Sequence, residues 1–142
     1  MSAALILMLA VAPTGVLRVE VTNVRSDRGR VHVDLCDERQ FLQDGCPHAA
    51  DAPAHAGTTV VILRDVPPGR WAIQAYHDEN GNGRVDRALF GIPKEGVGFS
   101  RDAPIRLSPP KWTDAMFAFG GGVERTTFRL RYFLGAKGPA TR

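Results

Sequence analysis

The chain has 142 residues, enough for one domain with a hydrophobic core, and its hydrophobic share of 44% and charged share of 23% exclude a disordered or fibrous protein. Its net charge of +3 is small, and the basic residues are scattered among acids, which argues against a nucleic-acid-binding protein.

The chain begins with an apolar stretch, Ala3–Ala12. It is too short to span a bilayer, which takes about 20 residues, but it fits the hydrophobic region of a signal peptide. Ala10-Val11-Ala12 has the form of a cleavage site, although no Lys or Arg precedes the stretch and Pro13 follows it; a buried first strand or helix is the alternative.

We therefore predict a signal peptide in residues 1–15, a single domain in residues 16–134 and a flexible tail in residues 135–142. A protein with such a leader is expected in the periplasm or secreted, with no stable membrane insertion once the leader is cleaved.

Two stretches near the start alternate apolar and polar residues, Val16–Val24 and Val31–Cys36. Each pattern predicts a half-buried strand, and the turn residues Arg25–Arg30 between them predict a hairpin. In the second strand His32 and Asp34 fall on the solvent face.

The segment Asp37–Gly57 loses this alternation and is predicted to be a long loop with one helical turn near Glu38–Leu42. Cys36 and Cys46 are the chain's two cysteines. In an exported protein an even count at short separation indicates a disulfide, here closing a loop worth about 2–3 kcal/mol in the chain-entropy model. Two free thiols in a cytosolic protein are the alternative.

The remainder of the chain also reads as strands separated by Gly- and Pro-rich turns, with no amphipathic helix. The pattern predicts an all-β fold, a single antiparallel β-sandwich of about seven strands. The further predicted strands are Thr58–Arg64, Arg70–His77, Ile105–Leu107, Trp112–Phe119 and Thr126–Leu134.

Four motifs occupy the middle of the chain: Val66–Ala72 (VPPGRWA), His77–Gly83 (HDENGNG), Gly91–Gly96 (GIPKEG) and Gly98–Ser100 (GFS). With them the chain, from about Leu17 to Tyr132, resembles the bacterial domain of unknown function 2141 family. The resemblance implies an exported sandwich without an established activity. The turn before Trp71 also resembles transthyretin-like and carboxypeptidase-regulatory sandwiches, which are usually binding or accessory modules. The cysteine pair is outside the family pattern.

One run carries a candidate metal site. Asp78, Asn80, Asn82 and Asp86 follow the D-x-N-x-N-G-x-x-D spacing of an acidic calcium loop, with the Arg84 carbonyl at the seventh position. Calcium takes six to eight oxygen ligands, so alternating oxygen-bearing side chains around a glycine suit it.

The twelfth loop position weakens this calcium prediction. The twelfth position is Leu89, where calcium loops carry a bidentate Glu, and Glu95 would have to fold back to replace it. The affinity would then be weak, with Kd on the order of 10⁻⁴–10⁻³ M. The alternative is turn chemistry, because Asn-Gly steps such as Asn80-Gly81 form tight turns without an ion.

The sequence offers little for catalysis. A hydrolase-like enzyme with Asp78 or Glu79 and Glu95 as its acid/base pair is the alternative function. His77 and Asp78 point to opposite faces of a strand and do not easily converge, so no catalytic residue is predicted.

Two further groups of residues have side chains suited to a site. Cys46, His48 and His55 match no compact zinc spacing. Phe90, Phe99 and Trp112, with Lys94 beside Glu95, line a shallow groove or cap the open end of the sandwich. The predicted function is thus a non-enzymatic binding or structural module for an unknown protein or small-molecule ligand, with calcium as its only candidate cofactor.

Overall fold

The computed structural model describes residues 2–8, 13–85 and 92–140, and within them eight strands form two sheets. A single helical turn, α1 (Trp112–Ala115), and a 3-10 turn at Ser100–Asp102 complete the regular structure. The strands are β1 (Gly15–Val24), β2 (Arg30–Cys36), β3 (His48–Pro53), β4 (Gly57–Val66), β5 (Gly69–Asp78), β6 (Val97–Phe99), β7 (Phe117–Phe119) and β8 (Val123–Arg129).

The two sheets pack face to face and confirm the predicted all-β sandwich. One sheet has the order β4-β1-β8, and the other has the order β3-β2-β5-β6 with β7 paired to β5 beside β6. Every pairing is antiparallel except that of β1 with β8, which is parallel and was not predicted. The alternating apolar residues of both inner faces form the core, among them Leu17, Val19, Val21, Val31, Val33, Leu35, Ile73 and Phe128.

The predicted hairpin between the first two strands is wrong. β1 pairs with β4 and β8, whereas β2 pairs with β3 and β5, so the connection after Val24 passes from one sheet to the other. Alternation identifies which face of a strand is buried but does not identify the neighbouring strand.

Two strands lie where the sequence predicted loops. β3 has the composition HAADAP, which has low strand propensity, and it forms because β2 supplies a full ladder of hydrogen bonds. β6 lies inside the Gly-rich segment and pairs with β5. The predicted helical turn near Glu38–Leu42 has a counterpart in the bond from Phe41 N–H to the Asp37 carbonyl, 2.9 Å.

Three predicted strands are wrong in whole or in part, and one of them is Thr126–Leu134, because β8 ends at Arg129. Ile105–Leu107 forms no strand, and only an isolated bridge joins Arg106 to Ser108. Trp112–Phe119 divides into the helical turn α1 and the short strand β7.

The two ends of the chain differ in their contacts. Residues 2–8 are exposed and make no contribution to the core. Near the other end, Arg25 Nη1 donates to the Leu134 carbonyl (2.7 Å) and Asn23 Nδ2 to the Lys137 carbonyl (2.7 Å), so the predicted flexible tail is hydrogen bonded at its start. Within the described ranges, no helix is long and apolar enough to cross a membrane.

Candidate functional site

The turn after β5 is ordered by its own side chains. The buried carboxylate of Asp78 accepts the Gly83 N–H at Oδ2 (2.8 Å) and the Asn82 N–H at Oδ1 (3.1 Å). The Asn82 N–H is shared with Asn80 Oδ1 at 3.2 Å. Gly81 and Gly83 have φ of 70° and 75°, the left-handed region that glycine adopts without a Cβ penalty.

The structure describes only some of the residues predicted to bind calcium. Asp78 Oδ1 and Asn80 Oδ1 accept from one N–H group, so the two oxygens lie close together. Asp86 and Leu89, the ninth and twelfth loop positions, lie outside the described residues. Among the residues the structure describes, no three His, Cys, Asp or Glu side chains gather into a metal-binding group. Calcium binding therefore stays a prediction, and the turn-chemistry alternative is satisfied by the bonds to Asp78.

His77 is fully buried on the inner face of β5 and forms a chain of hydrogen bonds. Its Nε2 lies 2.7 Å from the Arg28 carbonyl, which can only accept, so Nε2 carries the proton. Nδ1 then accepts from the Tyr132 hydroxyl at 3.0 Å, and that hydroxyl accepts the Arg25 N–H at 2.9 Å. Burial raises the pKa of Tyr132 to about 12. These hydrogen bonds connect the end of β5 to the segments that follow β1 and β8.

Glu79 is an ion-pair partner rather than an available acid or base. Arg25 donates to Glu79 Oε1 from Nε (3.0 Å) and from Nη2, and Ser26 donates to Oε2 (3.2 Å). Burial alone would raise the pKa of Glu79, but the Arg25 guanidinium outweighs it and lowers that pKa below its ordinary value. With the oxygens of Asp78 also accepting backbone N–H groups, this geometry gives no support to the hydrolase-like alternative.

The glycines of the GxGFS stretch permit close packing. A Cβ on Gly96 would lie 2.4 Å from the Tyr132 ring, and one on Gly98 would lie 2.8 Å from the Arg129 carbonyl. Ser100 Oγ accepts the Ile73 N–H (2.9 Å) and donates to a carbonyl of α1. These motif residues therefore hold β6 against β5 and β8.

Cys36 and Cys46 are joined in a disulfide at one end of the sandwich, within a small second core. Phe41 lies between Phe99 and Trp112, with ring centroids 6.0 Å and 5.9 Å away. The weighed zinc site is excluded because Cys46 is bonded to Cys36. Phe99 and Trp112 pack against this second core, and Phe99 also lines the groove described below. Lys94 is exposed and Glu95 is buried, whereas Phe90 lies outside the described residues.

An open groove of about 780 Å³ lies on the outer face of the five-stranded sheet. Residues 42–46 of the disulfide loop form one wall, and residues 83–85 of the Asp78 turn form the other. The floor consists of two cross-strand rows of side chains, His32–Tyr76–Val97 and Ala49–Asp34–Gln74–Phe99.

A charged cluster lies on this floor. His32 contacts Asp51 Oδ1 through Nδ1 (2.7 Å) and Asp34 Oδ1 through Nε2 (2.9 Å). The hydrogen bond to Asp34 raises the pKa of His32 to about 9, against the opposing effect of burial, and Asp51 adds to the rise. The ring is thus an imidazolium at neutral pH. The Tyr76 ring lies 5.1 Å from it, and burial and nearby carboxylates raise the pKa of Tyr76 to about 12.

Gln74 ties the disulfide loop to the floor. Its Oε1 accepts the Leu42 N–H (2.8 Å), and its Nε2 donates to the Gln43 carbonyl (3.0 Å). The same Nε2 lies 3.4 Å from Asp34 Oδ2. The wall at residues 42–46 and the charged cluster therefore share one amide, which anchors this wall to the floor of the groove.

The His32 cluster predicts a pH dependence of stability. The histidine pKa is about 6.5 in the unfolded chain and about 9 in the folded one, so its stabilisation is complete below about pH 6.5 and is lost as pH rises through about 9. We expect the melting temperature of the protein to fall across this window by more than that of His32→Gln, measured by circular dichroism. If the melting temperatures of the wild type and His32→Gln fall equally with pH, the stabilisation by the His32 cluster is contradicted.

The strands and loops that form this groove were not predicted, although Phe99, expected in a shallow groove with Phe90 and Trp112, is one of its lining residues. The alternation in β2 places His32 and Asp34 on one face, and that signal was interpreted as a solvated face. Asp51 belongs to β3, the strand hidden by its composition, so its position opposite His32 could not be predicted.

Comparison with known proteins gives one match. A family model described as an uncharacterised protein conserved in bacteria (DUF2141) matches residues 19–127, which is more than half of the chain. No curated protein and no solved structure matches the chain.

Proposed function

We propose that this chain, which belongs to the uncharacterised bacterial DUF2141 family, is an exported, non-enzymatic binding module whose ligand site is the groove on the five-stranded sheet. The observation that carries the proposal is the groove itself: a polar floor between two walls, each wall held in place by hydrogen bonds. A binding site needs such a concave surface with a few fixed polar groups.

The floor defines the ligand's chemistry. Each oxygen of Asp34 meets one partner within the protein, His32 or Gln74, and keeps a second lone pair for a ligand donor, and the Tyr76 ring offers a flat apolar surface beside them. A small polar molecule with hydroxyl or amine groups, or a peptide segment carrying them, would use both.

Export is proposed from two features. The apolar stretch Ala3–Ala12 suits a leader, and the Cys36–Cys46 disulfide suits an oxidising compartment such as the periplasm.

The Asp78 turn is proposed as a second, weak binding site for calcium. The observation that favours it is the closeness of Asp78 Oδ1 and Asn80 Oδ1 around the Asn82 N–H group. With Asn82, the Arg84 carbonyl and Asp86, the loop would offer oxygens alone, as calcium requires.

The binding proposal is tested by a thermal-shift screen of the full chain against sugars, amino acids and polyamines. Compounds that raise the melting temperature should lose this effect in Asp34→Asn and keep it in Thr58→Ala, an exposed change on the outer face of the other sheet. The ligand-induced shift is compared within each variant, because Asp34→Asn also changes the stability of the free protein. Hits that stabilise both variants as they stabilise the wild type would refute the groove as the site.

A further inference from the structure

The outer face of the three-stranded sheet concentrates arginine. Since Leu17, Val19 and Val21 are buried, Arg18 and the residues that alternate with them point outward. Arg18 lies opposite Arg125 in the β1–β8 register, with side chains 49% and 70% exposed. Two more exposed arginines extend the face, Arg64 on β4 and Arg129 on β8.

Among the outward side chains of β1, β4 and β8, which the structure describes in full, Glu20 is the carboxylate that pairs with two of these arginines, and the exposed Asp65 follows Arg64 near the end of β4. Glu20 Oε1 lies 3.2 Å from Arg18 Nε and 3.7 Å from Arg125 Nη1, so two guanidinium groups share it. The hydrogen bond from Arg18 and the charge of Arg125 lower the pKa of Glu20. The outward side chains of β1, β4 and β8 therefore carry an excess of positive charge.

The opposite face of the sandwich mixes charges of both signs, because carboxylates there surround the His32 imidazolium. Asp34 and Asp51 lie on the groove floor, and the pKa of Tyr76, raised first by burial, is raised further by the charges of four carboxylates. The excess of positive charge is therefore a feature of the three-stranded sheet and is not shared by the groove face.

We propose that the outer face of the three-stranded sheet docks onto an anionic lipid headgroup surface, so that the groove faces away from the membrane. This inference does not rest on the groove having a ligand. It concerns peripheral docking of a folded domain, in which guanidinium groups pair with lipid phosphates, and no part of the sandwich crosses the bilayer.

The composition of the face favours lipid over nucleic acid. Val60 and Ile62 on β4 pair with Glu20 and Arg18, and Val123 on β8 is 83% exposed, so apolar side chains lie between the arginines. Lipid surfaces accept both charge and apolar contact. On the outward positions of these three strands, which the structure describes in full, there is no aromatic side chain on which a base could stack.

The expected affinity is moderate and depends on salt. Each basic residue close to an anionic surface strengthens binding about fivefold, so removing Arg18 and Arg125 together should weaken binding about 25-fold. Screening by salt should weaken the binding of the wild type as well.

The test is sedimentation of the full chain with vesicles of phosphatidylcholine alone and of an equimolar mixture with phosphatidylglycerol. We expect binding to the mixed vesicles only, lost in the Arg18→Gln/Arg125→Gln double variant. The matched control, Arg39→Gln/Arg106→Gln, makes the same change in net charge at exposed sites outside these strands and should bind as the wild type does.

Each other outcome overturns the proposal. Failure of the wild type to bind mixed vesicles does so directly. Equal binding to neutral vesicles would assign the interaction to the apolar Ala3–Ala12 stretch, and equal loss in both double variants would assign it to net charge. Tighter binding to duplex DNA at the same salt, lost in the same variant, would assign the face to nucleic acid. Unchanged melting temperatures show that the variants are folded, since all four side chains are exposed.

Discussion

Gly96→Ala should lower the free energy of unfolding by about 3 kcal/mol, the upper range for overpacking a buried site. The new Cβ would lie 2.4 Å from Cε1 of Tyr132, whose ring is itself buried between the sheets. The ring cannot move away without breaking its hydroxyl's bonds to His77 and to the Arg25 N–H. Urea unfolding monitored by tryptophan fluorescence measures the change.

The matched control is Gly120→Ala. A Cβ there would meet only Glu124 Oε1 at 3.7 Å, an ordinary contact, and the backbone is not in the left-handed region. Its unfolding free energy should stay within about 0.5 kcal/mol of the wild type. Equal effects of the two substitutions would contradict the close approach of Gly96 to Tyr132.

Asp78→Ala should be comparably damaging, by about 3–5 kcal/mol. It removes two charge-assisted hydrogen bonds, each worth about 1.5–3 kcal/mol, and leaves the Asn82 and Gly83 N–H groups without their carboxylate. Asp78→Asn keeps one acceptor oxygen in a side chain of the same shape. Its free energy of unfolding should therefore lie between those of the wild type and Asp78→Ala. Thermal unfolding in a chelator measures the structural part of the effect.

The same series decides whether calcium contributes. A bound ion stabilises the folded state by RT ln(1 + [L]/Kd), about 2.7 kcal/mol at a hundredfold excess over Kd. If the turn binds calcium, calcium should raise the melting temperature of the wild type and leave that of Asp78→Ala unchanged. If neither protein responds at millimolar calcium, the turn is ordered by its hydrogen bonds alone.

The strands that carry the core were predictable because each shows a period of two. Leu17, Val19 and Val21 in β1, like Val31 and Val33 in β2, lie on the inner faces where their alternation placed them. The alternation of apolar and polar residues shows which side chains are buried, because burial follows from the hydrophobicity of each residue.

The pairing of the strands was not predictable, because it depends on distant residues. The parallel contact of β1 with β8 joins the first and last strands, and nothing local to Val123–Arg129 indicates it. β3 has few strand-forming residues and is held by β2. The groove needs both β3 and β6, so a sequence analysis that misses these two strands misses the site as well.

The spacing of the Asp78 turn suits both calcium and turn chemistry, and calcium binding stays a prediction. The structure shows the part that turn chemistry explains: the Asp78 oxygens accept backbone N–H groups, and residues 83–85 form a wall of the groove. His32 differs from its prediction, since a residue expected to be solvated lies between two carboxylates.

Amide NMR of the isotope-labelled chain tests most directly whether the groove is the ligand site. The compound giving the largest thermal shift is titrated in, and the shifted amides are mapped. The account predicts that they cluster on β2 and β5 around Asp34, Gln74 and Tyr76 and on the wall at residues 42–46. Shifts confined to the three-stranded sheet, with those amides unmoved, would contradict it.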